Sequence, residues 1–265
     1  LAGAGNGMID LSWFKENAPK DGSVTIIDWT SAYAGVGLWG PNSRKVLESL
    51  CEDDDVSNEA FPFFSIKNLS ISHVPCVAVR ISYIGELGWE IYTPTEYGLT
   101  LWDELKDKSQ EFNIICSGAG AFESLRLEKG YRSLGADIHT NSNPYEAGLG
   151  FTVKLKKEQN FIGKEALAKL KQEVPKQKLC CMVMEDSEGM ALGKEPIYDE
   201  SSKPVGYVTS TNYGYYVDKH ILYGYLPSTH SEEGTKLEVD YFGKRYPVMV
   251  TKEPLLDPEN LRLKS

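Results

Sequence analysis

From Leu179 to the end, the chain reads as short apolar segments separated by turn residues, and few folds accept that pattern. Leu179–Met184, Val205–Thr211, His220–Tyr225, Lys236–Tyr241 and Tyr246–Val250 are rich in β-branched and aromatic residues, with Gly, Pro and Asn between them. Regular spacing with no long helical period predicts a small antiparallel barrel or sandwich. Helical signals punctuate the first two thirds instead, so the pattern changes near Val174–Lys178. The expected division is residues 1–175 and 176–265, an α+β chain.

In the first part, Pro41 precedes an apolar set of Val46, Leu47 and Leu50 that fits one helix face. Thr93-Pro94-Thr95-Glu96 has the form of a capping box with proline at the first helical position, leading into Leu99, Trp102 and Leu105. Val24–Trp29, Val77–Tyr83 and Trp89–Tyr92 read as strands, Gly85 and Gly88 allowing a turn between the last two. Ala121–Gly130 reads as a helix with Phe122 and Leu125 apolar and a glycine stop, and Gly163–Lys171 as a short basic helix. Asn143–Leu149 forms a turn leading to a strand at Phe151–Leu155, and Lys154, Lys156 and Lys157 read as its solvated end. The Gly3-x-Gly5-x-Gly7 run lacks the preceding strand and the spacing of a dinucleotide loop, so it reads as a turn before a helix that starts near Asp10.

Composition narrows the function classes. A formal charge of −10 without a basic stripe argues against nucleic acid and anionic lipid as partners. No apolar run has the length of a membrane span, and Leu1–Asp10 lacks the form of a signal peptide. The opening without an initiator Met is expected of an excised piece of a longer chain. Five cysteines, Cys51, Cys76, Cys116, Cys180 and Cys181, show no C-x-x-C spacing and point to reduced thiols in apolar settings. The scattered histidines give no metal site. Serine-hydrolase, P-loop and zinc-protease patterns are absent from the sequence.

Arg80–Ile91 carries the most chemistry. Two strands joined through a glycine turn are expected to bring Tyr83 and Glu90 together, and a carboxylate beside aromatic surface suits a flat heterocycle bearing N–H donors. A strand glutamate can equally be solvated or paired with arginine. On the helix at Ala121–Gly130, Glu123, Arg126 and Glu128 are expected to form ion pairs, the usual fate of a charged helix face.

Six blocks in order carry a resemblance: Thr30–Pro41, Ser57–Phe63, Ser82–Glu90, Ser124–Arg132, Asn143–Leu149 and Phe161–Leu167, continued by Lys252–Pro254 and Asp257-Pro258. Together they resemble the C-terminal, tetrahydrofolate-binding part of the sarcosine and dimethylglycine dehydrogenase family, related to the glycine-cleavage T-protein. The resemblance implies a T-protein-like folate-binding fold followed by an antiparallel β-barrel-like domain. It implies that the chain accepts a one-carbon unit on tetrahydrofolate, giving 5,10-methylenetetrahydrofolate. FAD then belongs to a separate dehydrogenase domain or subunit of the parent protein, in the cytoplasm or mitochondrial matrix.

Residue by residue, Tyr83 and Glu90 match family positions that contact the pterin. The T-protein branch has an arginine for the folate tail where Phe122 stands here. The family's catalytic aspartate falls before Leu1, so no general base is assigned within the chain. That gap keeps open a second reading, a non-catalytic regulatory or scaffolding relative such as the regulatory subunit of pyruvate dehydrogenase phosphatase.

Overall fold

The structure is a computed structural model that describes residues 4–185 and 189–265. Gly3 of the glycine run lies outside the described residues. The chain packs as two compact units: residues 1–82, 86–116 and 260–265 form the first, and residues 83–85 and 117–259 the second.

The first unit is built on a four-stranded antiparallel sheet. Its strands are β1 (Tyr33–Trp39), β2 (Ile66–Ile71), β3 (Val74–Val79) and β4 (Gly88–Pro94), in the order β1-β4-β3-β2. Alternation decides which face is covered. Trp89 and Ile91 of β4, Cys76 and Ala78 of β3 and Leu69 of β2 point to one side and join Val46, Leu47, Leu50, Leu101 and Leu105 in a single core. These last residues lie on helices α2 (Ser43–Leu50) and α3 (Gly98–Glu111). Helix α1 (Gly7–Asn17) has no buried residue and exposes Met8, Ile9, Trp13 and Phe14.

The second unit contains a closed barrel in the order β10-β5-β8-β7-β6-β9. Its strands are β5 (Gln177–Met184), β6 (Pro196–Tyr198), β7 (Pro204–Gly214), β8 (Lys219–Pro227), β9 (Lys236–Tyr241) and β10 (Lys244–Thr251). Every pairing is antiparallel. Met182 and Leu222 point into the barrel, whereas Leu179, Cys181, Ile221 and Tyr223 point outward into a second cluster with Leu127 of helix α4 (Ala119–Glu128). Burial on both sides explains why β5 and β8 run apolar without alternation. Helix α5 (Lys164–Leu170) precedes the barrel, and α6 (Leu261–Lys264) ends the chain.

The predicted barrel strands all form. Tertiary context overrides the reading at several other places. Val24–Trp29 is not a strand: Val24, Ile27 and Trp29 are exposed and find no sheet partner, and the first strand is Tyr33–Trp39. β-propensity measures fit to a half-buried pleated surface, and here no such surface is offered. Phe151–Leu155 is likewise not a strand but a 3-10 turn and a loop, with Phe151 exposed. The capping box also fails. Thr93 and Pro94 extend β4, Thr93 Oγ1 donates to Pro75 O at 2.8 Å, and α3 starts at Gly98 with no side-chain cap. Its buried face is Leu101, Leu105 and Ser109, leaving Leu99 and Trp102 exposed.

Helix α4 forms with Gly130 at φ 73°, the left-handed stop that a residue with a Cβ rarely adopts. Of its charges, Arg126 pairs with Glu123 at 2.7 Å as expected, and both Arg126 and Glu128 are buried. Glu128 Oε1 accepts from the backbone N–H of Tyr216 at 2.6 Å and of Val217 at 3.1 Å, fixing the β7–β8 turn.

Four of the five thiols are buried as expected, and Cys116 is the exception, exposed at the end of the first unit. Burial pushes the Cys51 and Cys181 thiols up to about 12 and those of Cys76 and Cys180 to about 11. Since the thiolate is the reactive form, these four stay protonated and unreactive near pH 8. Native protein is therefore expected to consume one equivalent of a thiol reagent rapidly and the remaining four only in denaturant. Rapid native labelling of two or more cysteines would contradict this burial.

Candidate functional site

Glu90 sits on the open face of the first unit's sheet. In β4 it alternates with buried Trp89 and Ile91, and its register partners are Gly37 on β1 and Val79 on β3. Tyr92, two residues on, shares its face by strand periodicity. The Tyr92 hydroxyl donates to Glu90 Oε2 at 2.5 Å. Burial, reinforced by that bond, pushes the Tyr92 phenol well above its ordinary value, so it remains a donor at any physiological pH. Among the described residues, no protein donor reaches the other oxygen, Oε1, and the side chain is half-exposed.

Two glycines open this face. A Cβ on Gly35 would lie 3.0 Å from the Tyr92 ring, and one on Gly37 would lie 2.1 Å from the Trp39 ring. Both rings lie over β1 only because those positions lack side chains. The indole N–H of Trp39 donates to Ile81 O at 3.0 Å and fixes that ring. Further along the face, Tyr33 stacks on Trp29 at 5.5 Å, and a depression of about 420 Å³ is lined by Tyr33, Asn68, Val77, Tyr92 and Pro94. The result is a carboxylate with a free acceptor on an aromatic, partly apolar surface.

Tyr83 is placed differently from the expectation. The strand β3 ends at Val79, so Tyr83 lies in the loop that follows, and Val79 is the residue opposite Glu90. Tyr83 belongs to the second unit, Glu90 to the first. In its own unit the Tyr83 ring stacks on Phe122 at 5.3 Å and on Tyr131 at 5.8 Å, and its hydroxyl donates to Arg132 O. Burial raises its phenol. Arg132 is itself bound by both carboxylate oxygens of Glu253, and it donates to Ala147 O at 3.1 Å. Tyr83→Phe is expected to cost about 1 kcal/mol of stability through the lost hydroxyl bond, with the stack retained. A denaturant titration measures it, and an unchanged midpoint would show the bond to be of no account.

The sequence reading missed Tyr92, Trp39 and the glycine pair. A signal for Tyr92 was present, since a residue two places from a strand glutamate shares its face. None existed for Trp39, whose position depends on the pairing of β1 with β4.

Comparison with known families gives this geometry its setting. The model of the GCVT N-terminal domain matches residues 1–157, and that of the glycine cleavage T-protein C-terminal barrel domain matches residues 177–257. The chain belongs to the glycine-cleavage T-protein family. Human mitochondrial dimethylglycine dehydrogenase is 39% identical over 263 residues, 99% of this chain and 30% of that protein. Human mitochondrial sarcosine dehydrogenase is 34% identical, over 90% of this chain and 26% of its own length. An aminomethyltransferase of Symbiobacterium thermophilum is 34% identical over 96% of this chain and 68% of the relative.

Among solved structures, glycine cleavage system aminomethyltransferase T from Bartonella henselae superposes with a TM-score of 0.82 at 26% identity, covering 96% of this chain and 67% of that one. The T-protein-like fold with its C-terminal antiparallel barrel is therefore established. The chain spans about 30% of the length of the dimethylglycine dehydrogenases it matches. It is an aminomethyltransferase-like T-protein domain related to dimethylglycine and sarcosine dehydrogenases. Among the described residues, no helix is long and apolar enough to cross a membrane.

Proposed function

We propose that this T-protein-family chain binds tetrahydrofolate and is the one-carbon acceptor part of a sarcosine or dimethylglycine dehydrogenase-like enzyme. The observation that carries the reading is the Glu90 carboxylate, half-exposed, with one oxygen bonded by Tyr92 and the other without a protein donor. Such an acceptor fits the N–H and amino donors of a pterin edge. Tetrahydrofolate, when bound, supplies the nitrogens that take up the one-carbon unit as 5,10-methylenetetrahydrofolate.

The chain's own residues bind and orient. Glu90 accepts hydrogen bonds from the heterocycle, and the Tyr92 hydroxyl, which cannot ionise at neutral pH, holds that carboxylate in one rotamer. Tyr83 offers a stacked aromatic edge, its hydroxyl turned to Arg132 O. No general base is assigned. The flavin-dependent oxidation belongs, in this reading, to a separate domain or subunit, in the cytoplasm or the mitochondrial matrix; the human relatives above are named as mitochondrial.

The test is calorimetric titration of tetrahydrofolate into the wild-type chain and into Glu90→Gln. Binding that weakens in the variant supports the reading, whereas no binding by wild type, or equal binding by both, removes it.

A further inference from the structure

Arg80, just past the end of β3, is 1% exposed, and Arg44, in the first turn of α2, reaches the same place in the first unit. Both guanidinium groups lie over the Trp89 ring, at 5.3 Å for Arg44 and 5.8 Å for Arg80. They converge on one atom. Arg44 Nη2 donates to Ser265 O at 2.9 Å, and Arg80 Nη2 donates to the same oxygen at 2.8 Å.

Their other acceptors are neutral as well. Arg80 Nη1 donates to Phe61 O at 2.6 Å, and its buried Nε has no partner among the described residues. Arg44 donates to Val56 O and, at 2.8 Å, to Asn58 Oδ1. Among the described residues, no carboxylate side chain forms an ion pair with either arginine. Glu48, Glu59 and Asp55 act on Arg44 from farther off, whereas the charge that acts on Arg80 is that of Arg44. Burial, with that like charge behind it, pulls the Arg80 guanidinium down to about 10, so it still carries its proton at neutral pH. A buried cation is ordinarily paired with an anion, because neutral oxygens repay only part of its desolvation. Two cations that share one carbonyl oxygen also repel each other.

We propose that Arg44 and Arg80 form a binding site for a single carboxylate, seated where Ser265 O accepts from both. An arginine fork matches a planar carboxylate, and its bonds to a charged oxygen are roughly twice as strong as those to a neutral one. The shared Trp89 indole attracts both cations and keeps them together. Two sources supply such a group. A dissolved carboxylate reaches the pair past Ser265, which is exposed after α6, and a main chain that stops at residue 265 brings a carboxylate of its own. The site is separate from the open face of the sheet, since Trp89 points into the core and Glu90 away from it. Neither it nor the folate reading depends on the other.

The experiment follows the Arg80 Nε–H magnetic resonance and the melting temperature of two chains as acetate replaces chloride at constant ionic strength. One chain ends at Ser265, and the other is continued by Gly-Gly-Gly. Arg44→Gln is made in each, because Arg44 is only half-buried and its replacement leaves the core in place. The continued chain is expected to bind acetate saturably, shifting the resonance and raising the melt. The chain ending at Ser265 is expected to melt higher in chloride and to bind acetate at least tenfold more weakly, its own carboxylate being in place. Equal acetate binding by both chains would also support the site and make dissolved carboxylates the source. Arg44→Gln is expected to weaken acetate binding at least tenfold and to remove the difference in melting between the chains. A resonance that acetate leaves unmoved in both chains, with no difference in their melting, would overturn the proposal. Effects that persist in full in Arg44→Gln would overturn it too.

Discussion

Glu90→Gln is expected to weaken tetrahydrofolate binding by about tenfold or more while leaving the melting temperature unchanged. The substitution preserves size and keeps one acceptor, so the Tyr92 hydroxyl still has an oxygen to bond. It removes the negative charge and converts the free acceptor into an amide donor that faces the donors of the pterin. A hydrogen bond to a charged group contributes about 1.5–3 kcal/mol, and about 1.4 kcal/mol is a factor of ten in affinity. Stability is insensitive because the side chain is half-exposed and takes no part in an ion pair among the described residues. Calorimetric titration paired with a melting curve reads both effects. Wild-type affinity in the variant would make Glu90 a structural carboxylate, and an early melt would make it a strut of the sheet.

The second large effect concerns stability alone. Asp137→Ala is expected to destabilise the second unit by about 3–5 kcal/mol, the cost of leaving a buried charge without its partner. Asp137 is fully buried, and Arg126 is 2% exposed. Arg126 Nη1 donates to Asp137 Oδ2 at 2.8 Å, Nη2 donates to Ser210 Oγ at 2.8 Å, and Nε donates to Glu123 Oε2 at 2.8 Å. Asp137 also accepts from Thr209 Oγ1 at 2.5 Å and from the backbone N–H of Ser133 at 2.9 Å. Alanine removes the acceptor of an Arg126 Nη1 N–H, of Thr209 Oγ1 and of the Ser133 N–H, and leaves the buried guanidinium with the half-buried Glu123 as its carboxylate partner. For a unit of this size each kcal/mol moves the midpoint by roughly 2–4 °C, so the melt falls on the order of 10 °C. Arg126→Met combined with Asp137→Leu removes both charges and is expected to recover part of the loss. A single variant that melts within about 2 °C of wild type would show that the pair does not hold this unit together.

Local chemistry was legible in the sequence wherever a single element's period or propensity sufficed. The strands from Leu179 to Val250 form because alternating and continuous apolar runs can be satisfied only in a sheet, and α2 and α4 form from an apolar face and a glycine stop. The ordered blocks also placed the chain in its family, since they reflect the whole fold and not one element. β6 escaped because Pro196–Tyr198 is too short to show a period and becomes a strand only by bridging β7 and β9.

What the tertiary structure alone decided is which polar groups leave water and which face they share. Arg126 and Glu128 look like surface charges until α4 is laid against the barrel, which offers Ser210 and the β7–β8 turn as partners. Glu90 gains its aromatic surround from Trp39 and Tyr92, because β1 pairs with β4 in the register that sets Gly37 beside it. β3 ends at Val79, and Tyr83 belongs to the other unit. Periodicity is a property of neighbours along the chain, whereas burial, pairing and register are set by residues far apart in it. The sequence by itself therefore determined the barrel strands from Leu179 onward and the family, and only the packing decided what surrounds Glu90.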